Sequence, residues 1–182
     1  MAGDPAQRVP IRVLGAFSAV GLPMAALAIP LLIYLPPYFS DELGLGLSVV
    51  GTVLLVARLF DVVSDPAVGL LSDRIRTPWG RRRPWMVIGL PLTLLGTGFL
   101  FLAPVGVGWA YLLAWSLVTA LGWTALSLPH NAWAAELSTD YHERVRIYGA
   151  GQACAIGGTI LGVLVPGAMQ AAGADRGTAL AV

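Results

Sequence analysis

The chain has 182 residues, of which 57% are hydrophobic and only 12% charged, and its mean hydropathy is +0.75. Soluble domains carry roughly a quarter charged residues, so this composition argues against a soluble domain and for an all-α integral membrane protein. The net charge is +1 and every basic residue is arginine. That balance argues against a nucleic-acid partner, and the single Cys154, in an apolar segment, rules out an intrachain disulfide.

A helix of about 20 apolar residues crosses roughly 30 Å of hydrocarbon. Residues 1–12, with Arg8 and Arg12 and no small-residue cleavage site after a short apolar core, predict a retained N-terminal segment. Spans are predicted near 13–37, 45–72, 84–104, 107–134 and 147–171, and the run after Arg176 begins like a sixth. An odd number of spans beside the start of another predicts a fragment of a larger helical domain. Pro23, Pro30, Pro36 and Pro37 punctuate the first span and free carbonyls that a cavity can use. Pro129 is expected to interrupt the fourth, and Gly149, Gly151, Gly157, Gly158 and Gly162 suit the fifth to close helix contact.

The arginines set an expected orientation. Arg8 and Arg12, then Arg74, Arg76, Arg81, Arg82 and Arg83, then Arg144 and Arg146 fall on the N-terminal segment and alternate loops, whereas Asp41, Glu42 and Asp175 fall on the others. The positive-inside rule places the N-terminus in the cytoplasm of a multi-pass cell-membrane protein.

Within the second span, Arg58, Asp61 and Asp65 follow at i, i+3 and i+7, on one helical face. A charge in hydrocarbon costs roughly 3 to 15 kcal/mol depending on its solvation, so these residues are expected to face a cavity and one another.

The loop from Gly69 to Trp85, with Asp73-Arg74, Arg76, Trp79-Gly80 and Arg81-Arg82-Arg83-Pro84-Trp85, resembles the cytoplasmic loop between helices two and three of major facilitator superfamily transporters. That resemblance implies inner-gate charge contacts by Asp73, Arg74, Arg81, Arg82 and Arg83. Together with Val56-Ala57-Arg58-Leu-Phe-Asp61, Asp65-Pro66 and Gly69, the run from Val49 to Trp85 closely resembles the glycoside-pentoside-hexuronide:cation symporter family. A second block, Leu128-Pro129-His130-Asn131-Ala-Trp133-Ala-Ala-Glu136 through Asp140, Glu143, Arg144 and Arg146, resembles that family's junction between helices four and five. The likeness covers most of the chain but half of a transporter, since the family has twelve spans in two six-helix halves. Residues 13–182 are accordingly expected to be a truncated N-terminal domain that lacks its C-terminal half.

The resemblance implies that Asp61 and Asp65 bind the coupling cation. The chemistry fits: sodium is a hard ion that takes oxygen ligands, and Ser64 and Thr124 could add neutral oxygens. A proton is the alternative, because neighbouring buried carboxylates raise each other's proton affinity. Arg58 is expected to neutralise the pair when the cation is absent.

On the substrate side the chain departs from the family's melibiose carriers. Helix one has no acid between Val13 and Phe39, Ser127 and Gln152 stand where an acid and an arginine are used, and Asn131 replaces the stacking aromatic, with Trp123 and Trp133 nearby. Arg58, Trp123, Ser127, His130, Asn131 and Gln152 are the expected substrate contacts, and Asp140, Glu143, Arg144 and Arg146 the expected gate partners of the arginine loop. The implied function is symport, by alternating access, of a glycoside, uronide or related sugar with Na+ or H+, in the lipid bilayer, with no other cofactor. A lysolipid or other non-sugar substrate is the alternative. A membrane prenyltransferase using the D-x-x-x-D acids for magnesium is disfavoured by the lack of a second acid-rich motif, and a self-sufficient five-helix accessory protein rests on length alone.

Overall fold

The structure, a computed structural model, describes residues 8–171 except Arg76 and Trp79. The expected start of a sixth span after Arg176, residues 1–7 and the Arg76 and Trp79 positions of the loop motif lie outside the described residues. The chain forms α1 Ile11–Glu42, α2 Leu47–Arg74, α3 Arg83–Phe101, α4 Trp109–Leu137 and α5 Tyr141–Ala171. All five are long and apolar enough to cross a membrane. Among the described residues the β content is one isolated bridge, Thr77 to Gly80, in the arginine loop.

Three features differ from the sequence expectations. First, α1 continues past residue 37, accommodating its prolines with π-helical turns at Pro30–Tyr34 and Tyr38–Glu42. An amide missing at proline breaks the regular ladder, and a wider turn absorbs the mismatch. Second, α4 runs unbroken through Pro129, which is buried. The expected interruption is absent: one lost hydrogen bond is outweighed by packing, since α4 lies against both α2 and α3. Third, α5 starts at Tyr141 because Asp140 caps it, its Oδ1 accepting from the Glu143 amide at 2.9 Å. Arg144 and Arg146 therefore sit in its first turns and not in a loop.

Helix α1 packs along α5, and α3 along α4. Both seams need glycine. A Cβ at Gly158 or Gly162 would collide with the α1 carbonyls of Leu22 or Ala26, and one at Gly122 would lie 2.5 Å from the Thr93 amide nitrogen. Gly149 and Gly157 meet nothing within 4 Å, so only part of the expected glycine face is used.

Apolar clusters close both ends. Leu35, Tyr38, Phe39, Val50, Val53, Leu100, Phe101 and Leu112 pack where α1, α2, α3 and α4 meet. Val9, Leu14, Phe17, Ala134 and Ile147 join α1, α4 and α5 at the other end. Between them the middle of the bundle is left open on one side.

Candidate functional site

That opening is a cavity of about 450 Å³ between α1, α2 and α4. Because α2 is helical, Arg58, Asp61 and Asp65 share the face turned to it, and Trp123, Thr124 and Ser127 reach it from α4. The α1 side is built from Ala28, Leu31, Leu32 and Leu35.

The polar groups are incompletely matched. The Thr124 hydroxyl donates to Asp65 Oδ1 at 2.7 Å, tying α4 to α2. Arg58 Nη1 donates to Asp61 Oδ2 across a longer 3.4 Å, with the arginine side chain 73% exposed and the aspartate 22%. Asp61 Oδ1 and Ser64 Oγ are both buried without a hydrogen-bond partner. Two carboxylates and one guanidinium leave a charge of minus one, which one monovalent cation or one proton would neutralise.

Two residues missed by sequence reasoning complete the α4 wall. Ser116 and Thr119 line the cavity; the Thr119 hydroxyl donates to the Trp115 carbonyl at 2.8 Å, whereas Ser116 Oγ is buried and unpartnered. The signal was present in the spacing, since Ser116, Thr119, Trp123 and Ser127 recur every three or four residues.

Three of the expected substrate contacts are elsewhere. His130 is buried, stacked on Phe17 with centroids 4.3 Å apart, and its Nε2 donates to the Phe17 carbonyl at 3.0 Å. Asn131 and Gln152 are exposed, outside the cavity lining. For His130 and Asn131 the unbroken α4 explains this: without a break at Pro129, they follow the helix away from the cavity.

Residues 16–180 match the family model described as MFS/sugar transport protein. The chain belongs to this family, the glycoside-pentoside-hexuronide:cation symporters of the major facilitator superfamily. Similar proteins include an uncharacterised symporter of Synechocystis, 36% identical over 74% of this chain and 26% of its own length. An isoprimeverose transporter of Lactiplantibacillus pentosus is 28% identical over 63% and 24%, and a sodium-dependent lysophosphatidylcholine symporter of Danio rerio is 30% identical over 74% and 26%. The chain thus spans about a quarter of the length of these relatives. The family model and these relatives are named as transporters and symporters, not as enzymes.

A second polar cluster of this family member sits at the arginine-loop end. Arg82 Nη2 lies 3.3 Å from Asp73 Oδ1 and 2.8 Å from Glu136 Oε1, and Arg81 Nη2 is 3.1 Å from the same Glu136 oxygen. Glu136 of α4 is therefore the acid that meets Arg81 and Arg82, whereas Asp140, Glu143, Arg144 and Arg146, expected as gate partners of the arginine loop, make other contacts. Glu143 instead accepts from the Val9 amide at 3.0 Å and from Arg146 at 2.7 Å. Arg144 donates to the Ser138 and Ala135 carbonyls at 2.8 and 3.2 Å, capping the C-terminus of α4. Asp140 is the cap of α5. Arg74 and Arg83 are exposed and in no ion pair among the described residues.

Proposed function

We propose that this chain carries the cation site and one wall of the substrate path of a symporter that moves a sugar or sugar derivative with one Na+ or H+ by alternating access. The buried, unpartnered Asp61 Oδ1 beside Asp65 at a cavity inside an apolar bundle is the observation that carries it, with the unpartnered Ser64 hydroxyl on the same helix. A cation at Asp61 and Asp65, with oxygens of Ser64 and Thr124, removes the residual charge. Arg58 is then released from its long contact with Asp61 and free to meet substrate, alongside Trp123 and Ser127. Cation and substrate thereby favour the same state, and by reciprocity each tightens the other by the same factor.

The Arg82 cluster is the inner gate in this scheme: it ties the end of α2 to the end of α4 until loading favours opening. The N-terminus and the arginine loop are assigned to the cytoplasm of a cell-membrane protein, and the other wall of the path to the C-terminal half of a twelve-span carrier. The alternative, an amphiphile such as a lysolipid, is favoured by the apolar α1 side of the cavity and by the name of the Danio rerio relative.

The test is uptake by the complete protein in proteoliposomes, with imposed sodium or proton gradients and labelled glycosides, uronides and lysolipid. Gradient-driven accumulation of a sugar supports the assignment. Accumulation of lysolipid alone moves it to the alternative, and magnesium-dependent prenyl transfer without transport would end both.

A further inference from the structure

By its side chains the α1 wall of the cavity is apolar, yet its backbone is not. A helical carbonyl accepts from the amide four residues on in an α-turn and five on in a π-turn. For Leu32 both of those positions are proline, Pro36 and Pro37, which have no amide hydrogen. For Leu31 they are Leu35, whose amide donates to the Pro30 carbonyl, and Pro36. The carbonyls of Leu31 and Leu32 thus lack both their α-turn and their π-turn donor, within a membrane-spanning segment.

Pro30 has the same effect on Ala26, but there the oxygen is covered. Gly162 of α5 presses against it so closely that a Cβ would collide with it. Leu31 and Leu32 instead line the cavity that holds Arg58, Asp61 and Thr124, and Leu32 is 63% exposed. An unbonded backbone carbonyl is tolerated at membrane depth where it faces a polar cavity.

We propose that the Leu31 and Leu32 carbonyls are a substrate-binding pair that accepts hydrogen bonds from hydroxyl groups. They supply acceptors on a helix with no acidic side chain between Val13 and Phe39. Carbonyls only accept, so their partner is a donor, and vicinal hydroxyls of a sugar provide donors at adjacent positions. An acyl chain provides none. This inference rests on the cavity being the transport site and gives the occupant its class: a polyhydroxy compound.

The experiment compares the complete protein with its Pro36→Ala/Pro37→Ala variant, which regains two amide hydrogens for these carbonyls. Binding of isoprimeverose, a methyl glucuronide and a methyl xyloside is measured by calorimetry at fixed pH and saturating sodium, with Pro91→Ala on the exposed side of α3 as control. The expected result is sugar binding by the parent, a roughly tenfold or greater rise in Kd in the double variant, and no change in the control or in sodium binding without sugar. Equal sugar affinity in parent and variant overturns the carbonyl pair alone. A shift in sodium affinity without sugar overturns it in favour of cation ligation. Binding of no sugar by the parent overturns the underlying sugar reading and the pair with it. Should the double variant not fold, isotope-edited infrared of the parent with leucine carbonyls labelled decides: sugar should lower the frequency of a band that is lost in Leu31→Met/Leu32→Met, and an unmoved band overturns the pair.

Discussion

Arg82 is held from two helices at once, by Asp73 at the end of α2 and Glu136 at the end of α4, and Glu143 in the first turn of α5 takes both a backbone amide and Arg146. Around Asp61, by contrast, one carboxylate oxygen and the Ser64 hydroxyl have no partner, and the arginine contact is long. Both regions concentrate charge in an apolar chain. At the loop end the protein completes its own interactions, so those charges fix how helices meet. In the cavity it leaves them incomplete, at a cost that low dielectric makes large, and a ligand is the natural completion.

The strongest way to break that comparison is to neutralise the cavity acids. Asp61→Asn or Asp65→Asn in the complete protein should abolish cation stimulation of uptake while the protein still reaches the membrane; unchanged sodium and proton dependence in both would remove the cation site. Next in size is the neutral ligand. Thr124→Val should raise the cation concentration for half-maximal uptake by about tenfold, as expected for one lost hydrogen bond to a charged group, with the maximal rate retained. An unaltered concentration dependence would make the Thr124–Asp65 contact structural only.

Smaller effects sharpen the loop side. Arg82→Ala removes two ion pairs and should increase labelling of a cysteine placed behind the loop by several fold, whereas Arg81→Ala removes one exposed pair and should do little. Equal labelling in the two variants would contradict the bridging role of Arg82. Least of all, His130→Gln, which keeps a donor for the Phe17 carbonyl, should leave substrate affinity unchanged; a loss of affinity would return His130 to the substrate path.

Much of the architecture was legible because hydrocarbon imposes a simple rule on sequence. Apolar length predicted five spans, and the i, i+3, i+7 spacing placed Arg58, Asp61 and Asp65 on one face before any contact was known. Errors arose where neighbours override local chemistry. Pro129 reads as a breaker, yet packing on both sides carries α4 through it and takes His130 out of the cavity. Asp140 reads as a gate acid and is a helix cap, its Oδ1 taken by the Glu143 amide. Glu136 stands in the same block as Asp140, and nothing in its spacing tells which acid reaches Arg81 and Arg82.

By itself, the sequence determined the membrane medium, the helical class, the acidic pair on α2 and the prolines that strip two amides from α1, because each depends on residue type and local period. Only the tertiary structure decided which polar groups are matched and which are left open. Thr124 on Asp65, Glu136 on Arg82 and Gly162 over the Ala26 carbonyl are meetings between helices far apart in the chain, and no local rule encodes how two such helices are rotated against each other.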